Sequence, residues 1–300
     1  MHAVDEAAAS IYGPVVRTPL VRLHAPVSTP GGEPVEVYLK LECLQPIGSF
    51  KLRGAANAVR QLTRDQMKDG VWTVSAGNAA QGVAFAAREA GVPCSVLVMD
   101  TAPETKVRAI ERLGATIHRA TYDECWQTVE THRSDRMRGH FVHPFDDDAF
   151  IAGNATAGLE ILEDLPDVAT VVAAIGGGGL LAGIGAVMAA RRPGVRVLAA
   201  EPETAAPLAQ SLAAGEPQRF AAWQASFVDG AGGKSVLPSM WPLLHPTVRE
   251  SVVVTLGEAA CAMGLVAERL HVIIEGAAAC AVPAAITGRA GAGKVVAVVS

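Results

Sequence analysis

Three short segments combine residue types that could do chemistry together. In Gln45-Pro-Ile-Gly-Ser-Phe-Lys-Leu-Arg-Gly54, Gly48 permits a tight turn, Ser49 suits a helix N-cap and Lys51 falls in the first helical turn. The positive end of the helix dipole disfavours a cation there, so the charge must be compensated or the amine used. A lysine desolvated enough to lose its proton attacks an aldehyde and forms a Schiff base. Taken alone, the plainer reading is a surface lysine with its stem along apolar surface.

The second segment, Val74-Ser-Ala-Gly-Asn-Ala-Ala-Gln-Gly82, places small residues, Ser75, Gly77, Asn78 and Ala79, at the start of a helix. Backbone N–H groups left free at such a terminus receive a carboxylate or a phosphate; an ordinary capped turn would look the same. The third is Ala174-Ile-Gly-Gly-Gly-Gly-Leu180. Gly176, Gly177, Gly178 and Gly179 remove every Cβ from a strand-to-helix turn at a cost in conformational entropy, which suits a phosphate held on backbone amides. A flexible linker fits poorly, because apolar runs flank the glycines on both sides.

A rival reading starts from the same glycines. Gly177-x-Gly179-x-x-Ala182 fits a relaxed dinucleotide fingerprint, and Glu201 follows about twenty residues on, where an acid would hold a ribose. That would make the chain an NAD-dependent oxidoreductase, but it leaves the Lys51 and Ser75 segments unexplained. A non-catalytic binder of a phosphate ligand is a third class.

These junctions need strands before them and helices after them, and the pattern supplies both. Strand-like runs at 35–41, 71–74, 95–99, 115–120, 170–175 and 195–200 alternate with helix-like runs at 81–90, 105–113, 122–137, 157–164 and 180–190, and the chain ends in the apolar run Lys294–Ser300. From Leu52 the apolar positions Leu52, Ala55, Ala56 and Val59 repeat at helical spacing. Such alternation predicts an α/β chain with open parallel sheets covered by helices on both faces. Residues 213–247 have little periodicity and are expected to be irregular. Three hundred residues suggest about two domains. The net charge of −5 argues against a nucleic-acid or anionic-membrane surface. The five cysteines, Cys43, Cys94, Cys125, Cys261 and Cys280, form no C-x-x-C pair and read as reduced thiols of a cytoplasmic protein. Met1–Gly13 lacks the features of a signal peptide, and no apolar run is long enough to span a membrane.

The ordered segments together resemble the fold type II family of pyridoxal-phosphate enzymes, the tryptophan synthase β-like kind, and within it the threonine/serine dehydratase branch that includes serine racemase. The matching stretches are Arg17-Thr-Pro-Leu20, Leu39-Lys-Leu-Glu42, Gly48–Ala55, Ser75-Ala-Gly-Asn78, Val142-His-Pro-Phe-Asp146, Gly158–Ile161, Gly176–Leu180, Glu201-Pro202, Asp229-Gly230 and Ser300. The resemblance implies pyridoxal 5'-phosphate as cofactor, joined to Lys51 as a Schiff base, with Lys51 also removing the substrate Cα proton. It implies Phe50 against the pyridine ring, Asn78 on the 3-hydroxyl, Gly176 to Gly179 around the phosphate and Ser300 at the ring nitrogen. Ser75, Gly77, Asn78 and Ala79 would surround the carboxylate of a small amino-acid substrate. The implied reaction is elimination of the β-hydroxyl from a hydroxy-amino acid such as threonine or serine by a homodimer or homotetramer. The implied domains are 1–69 with 147–300, and a smaller 70–146 that could close on substrate.

Departures from the family narrow the expectation. Ala76 stands where serine racemase has a serine as second acid/base, so racemisation should be weak. Ala79 replaces the usual histidine, which opens the question of substrate preference: 3-hydroxyaspartate, phenylserine and hydroxyectoine-derived substrates stay on the list. Leu52-Arg53 after the lysine argues against the cysteine-synthase and threonine-synthase branches, which carry an acid there. In racemase-like members Glu201 begins a cation site with an aspartate six residues on; here that residue is Pro207, and no metal is expected. His140, His143 and Asp146 to Asp148 read as a solvated turn, and Arg133 to Arg138 as a solvated helix face. No regulatory domain is expected after Ser300.

Overall fold

The computed structural model describes residues 1–25, 27 and 29–300. In chain order the first elements are α1 (His2–Ala8), β1 (Leu20–Leu23), β2 (Val35–Leu41), α2 (Lys51–Arg60), β3 (Val71–Val74), α3 (Asn78–Ala90) and β4 (Cys94–Met99). Then come α4 (Glu104–Glu111), β5 (Thr116–Ala120), α5 (Tyr122–Thr131), β6 (His140–Phe141), α6 (Asp148–Asp164), β7 (Thr170–Ala174), α7 (Gly179–Arg191) and β8 (Arg196–Pro202). The last are α8 (Pro207–Ala214), α9 (Trp241–Leu244), β9 (Val248–Val254), α10 (Leu256–Leu270), α11 (Gly276–Ala279), α12 (Ala281–Ile286) and β10 (Gly293–Val299). The expected α/β class and its parallel sheets are both present.

Contacts divide the chain into two compact units, one of 2–16 with 44–156 and one of residue 1, 17–43 and 157–300. The smaller unit is built on a four-stranded sheet of order β5-β4-β3-β6, parallel throughout. Its strands are short and apolar; Val71, Trp72, Thr73 and Val74 of β3 are all buried, as a parallel strand covered on both faces requires. Residues 44–69 belong here because α2 is clamped on two sides. Against α3, a Cβ on Gly82 would lie 3.1 Å from the Lys51 carbonyl, so glycine lets the two helices meet here without crowding. Against the first half of α6, Gly54 lies under the Phe150 ring, Asn57 Nδ2 donates to the Ala149 carbonyl (2.7 Å) and Arg53 Nη1 to Thr156 Oγ1 (3.0 Å).

The larger unit carries a six-stranded sheet of order β1-β2-β10-β7-β8-β9, parallel apart from the antiparallel edge strand β1. Its interior is aliphatic, from Leu39 and Val172 to Leu198 and Ala297. Helix α7 is apolar on nearly every side and nine of its residues are buried, which marks it as a core helix. A buried ion pair, Lys40 Nζ to Glu160 Oε2 at 2.6 Å, is completed by the Thr18 carbonyl 2.7 Å from the same ammonium; the extra acceptor offsets part of the desolvation cost.

Two local expectations are corrected. The helix expected to run to Met137 ends at Thr131, because His132 turns the chain into the left-handed region (φ 58°). Arg133 to Arg138 is therefore not a helix face; Arg136 reaches back to Glu124 at 3.0 Å and to the Arg119 carbonyl at 2.9 Å. Helix α6 starts at Asp148 rather than at residue 157, with Asp147 Oδ1 accepting the Phe150 N–H at 2.8 Å. Among the described residues no helix is long and apolar enough to cross a membrane.

Candidate functional site

In the smaller unit the chain turns through Gly48, whose φ of +75° suits a residue without Cβ, and enters α2 with Lys51 as first helical residue. Ser49 is buried and its Oγ accepts the Lys51 N–H at 3.3 Å, so it caps from one position before the formal N-cap, Phe50. The Lys51 side chain runs into an aromatic cage. Its Nζ lies 5.3 Å from the centroid of Phe50, 5.8 Å from that of Phe145 and 5.5 Å from that of Phe150. Among the described residues it makes one hydrogen bond, to the Pro144 carbonyl at 2.7 Å. Among the described residues no carboxylate pairs with it, and burial alone pushes the amine down to about 8 from its usual 10.5. Cation–π attraction to the rings recovers only part of the lost hydration.

The Ser75 segment follows β3 in the same unit. Gly77 N–H donates to Ser75 Oγ (3.0 Å), and Ser75 N–H to the Leu97 carbonyl (3.1 Å), which fixes the loop on the sheet. No side chain caps α3, and its first intrahelical bond runs from Gln81 N–H to the Gly77 carbonyl at 3.2 Å. The amides of Ala79 and Ala80 thus have no acceptor within the helix, and the 13-residue α3 puts its positive end there. An anion fits this terminus.

In the larger unit the glycine run links β7 to α7. Gly178 is left-handed (φ +96°) and serves as N-cap without a side chain, and the first intrahelical bond is Ala182 N–H to the Gly178 carbonyl at 2.9 Å. A Cβ on Gly176 would lie 2.9 Å from the Gly230 carbonyl, so the Asp229-Gly230 segment presses on the turn. Ser300 is buried at the carboxyl end of β10, the strand beside β7. Since Val298 pairs with Ala173, Ser300 stands level with Ile175, one residue before the glycines. The run of backbone amides opening a 13-residue helix suits a phosphate.

Glu201 ends on the same edge of that sheet but is committed elsewhere. Its carboxylate accepts the Leu208 and Ala209 amides, each at 2.8 Å, and the Ser251 hydroxyl at 2.6 Å. An acid that anchors the start of α8 in this way is not offering its oxygens to a ribose, which removes the main support of the dinucleotide reading. His132, His143 and Asp146 bring their ligand atoms within 4.8 Å of one another, yet both His143 nitrogens are engaged by the backbone.

The structure thus groups Phe50 and Lys51 in one cage, Ser75 to Ala79 at one helix terminus, and Gly176 to Gly179 with Ser300 on one sheet edge. Sequence reasoning missed Pro144, Phe145 and Phe150 as neighbours of the amine. The only signal was the Val142–Asp146 stretch, a recognised segment to which no role was given.

A desolvated lysine amine and a helix-opening run of backbone amides are each the kind of group that an aldehyde-bearing phosphate would use. The chain belongs to the pyridoxal-phosphate dependent enzyme family, whose model matches residues 11–300. It is 36% identical over 298 residues to an L-threonine ammonia-lyase of Thermotoga maritima, covering 99% of this chain and 73% of that protein. It is 37% identical over 255 residues to human serine racemase, covering 84% of this chain and 75% of that protein. The structure of maize serine racemase superposes with a TM-score of 0.88 at 30% identity, covering 99% of this chain and 91% of that one. Each unit carries residues of a kind that fits pyridoxal phosphate: in one, a desolvated amine with no counter-ion among the described residues, and in the other, a Cβ-free run of amides opening a helix.

Proposed function

We propose that this chain eliminates the β-hydroxyl of a hydroxy-amino acid such as L-threonine or L-serine, releasing a 2-oxo acid and ammonia. The threonine ammonia-lyase and serine racemase relatives support the substrate class. The carrying observation is the Lys51 amine, sheltered by three phenyl rings and lowered to about 8.

Pyridoxal phosphate, when bound through Lys51, supplies the electron sink for the pair released at Cα. Phe50 would pack on its ring, Asn78 would hydrogen-bond its 3-hydroxyl, Gly176, Gly177, Gly178 and Gly179 would hold its phosphate, and Ser300 would serve its ring nitrogen. The amides and small side chains of Ser75, Gly77, Asn78 and Ala79 bind the substrate carboxylate. Lys51 takes the Cα proton, and an amine titrating near 8 holds or releases a proton readily at neutral to mildly alkaline pH. The phenyl rings exclude water from that transfer. Ser300 would bring a neutral hydroxyl rather than a carboxylate, which suits prompt loss of the substrate hydroxyl. Protonation of the leaving hydroxyl releases water, and the freed enamine regains water on hydrolysis, so 2-oxo acid and ammonia account for all substrate atoms.

Racemisation is the second reading, favoured by the similarity to human serine racemase. It needs a second proton donor, and Ala76 carries none. The protein acts as a homodimer or homotetramer in the cytoplasm. The test is release of 2-oxo acid and ammonia by the purified, pyridoxal-phosphate-loaded protein from threonine, serine, 3-hydroxyaspartate and phenylserine. Turnover of at least one, absent in Lys51→Ala, supports the reading. A protein that binds NAD and gains no visible absorption with pyridoxal phosphate refutes it.

A further inference from the structure

We propose that His143 is a positioning residue, whose ring holds the 143–146 turn so that the Pro144 carbonyl and the Phe145 ring lodge the Lys51 amine. The inference rests on the reading that Lys51 is the reactive amine. His143 is 2% exposed, and its two nitrogens do different work. Nδ1 accepts the Phe145 N–H at 3.2 Å and the Asp146 N–H at 2.7 Å. A nitrogen that accepts two amides carries no proton, so the proton sits on Nε2, which donates to the Val129 carbonyl at 3.1 Å in the last turn of α5. The ring therefore ties the turn to a helix end. Its face also packs edge-on against Phe145, centroids 4.7 Å apart.

Pro144 lies between the residue that accepts and the residues that donate, so its carbonyl direction follows from the closed turn. Among the described residues that carbonyl is the one hydrogen-bond acceptor of Lys51 Nζ. Burial holds the imidazole down to about 4, so the neutral tautomer persists across the working pH range. The other charged groups on the elements around the amine are occupied elsewhere. Asp146 approaches His132 at 3.7 Å, Asp147 caps the Phe150 amide, and Arg53 binds Thr156; Asp148 heads α6. Loss of the Nδ1 acceptor would leave two part-buried amides without this partner, open the turn and let water reach the amine.

Two variants separate this role from simple packing. His143→Asn keeps an acceptor where Nδ1 lies and loses the reach to Val129; His143→Gln keeps the reach and loses the turn acceptor. The readout is competitive acetylation of Lys51 with trace acetic anhydride in cofactor-free protein from pH 6 to 11, resolved by peptide mass. Wild type and His143→Asn should show a midpoint near 8. His143→Gln should move upward by about one unit or more toward an ordinary lysine, with labelling at pH 8 about fivefold lower. Equal midpoints in all three proteins, or equal displacement in both variants, overturn the proposal. Wild-type protein that fails to attach pyridoxal phosphate at Lys51 refutes the functional reading instead, and is measured separately.

Discussion

Replacing Lys51 by methionine should stabilise the cofactor-free protein at neutral pH, by an amount that shrinks as pH rises. The folded-state amine titrates near 8 because it is buried, whereas in the unfolded chain it titrates near the ordinary 10.4. As pH falls, the unfolded chain therefore takes up its proton first. Stability is lost between about 10.4 and 8, and below 8 the full penalty of a buried ammonium applies. At about 1.4 kcal/mol per pH unit between those two values, the penalty is about 3 kcal/mol. The hydrogen bond to the Pro144 carbonyl offsets about 1 kcal/mol of it. Methionine keeps the unbranched stem among Phe50, Phe145 and Phe150 and carries no charge. Lys51→Met should thus gain about 2 kcal/mol at pH 6.5 and nothing, or a slight loss, at pH 10.5. Urea unfolding followed by the fluorescence of Trp72, buried in β3, reads both values. A variant no more stable than wild type at pH 6.5, or a difference that does not change with pH, would refute the reasoning.

Gly54→Ala should destabilise by about 1–3 kcal/mol in thermal unfolding, since its Cβ would lie 2.7 Å from the Phe150 carbonyl and against the ring that walls the amine. Gly178→Ala places a side chain at φ +96° with its Cβ 2.8 Å from Leu244 Cδ1; a loss of about 1–2 kcal/mol and weaker uptake of pyridoxal phosphate by absorbance titration are expected. Ala76→Ser restores a hydroxyl where a second acid/base would stand, and chiral chromatography should show a higher ratio of racemised to eliminated serine than wild type.

Much of the fold was legible because buried parallel strands are short apolar runs bounded by glycine and proline. The reading of 35–41 and 71–74 matches β2 and β3 end for end. Strand β9, Val-Arg-Glu-Ser-Val-Val-Val, carries charges on the exposed face of an edge strand and hides that signature; β6 pairs only two residues with β3. The overlong helix at 122–137 failed at His132, a residue that takes the left-handed conformation glycine usually marks. At the site, the residue types around Lys51, Ser75 and Gly176 announced an amine and two anion-binding termini, because each motif is contiguous. The phenyl cage was not readable. Phe150 reaches Lys51 from 99 residues away because α6 packs on α2 through Gly54 and Gly153, and Phe145 from 94 residues away on the turn before α6; small residues at a helix crossing carry no label for what they bring near.

The central claim is that one sheltered lysine holds the cofactor. Incubation with pyridoxal phosphate, reduction with borohydride and peptide mass mapping test it most directly. The account predicts one stable pyridoxyl-phosphate adduct, on the peptide containing Lys51, formed in stoichiometric amount and blocked by prior acetylation of that amine. Labelling scattered over surface lysines such as Lys68 and Lys106, or none at Lys51, would contradict it.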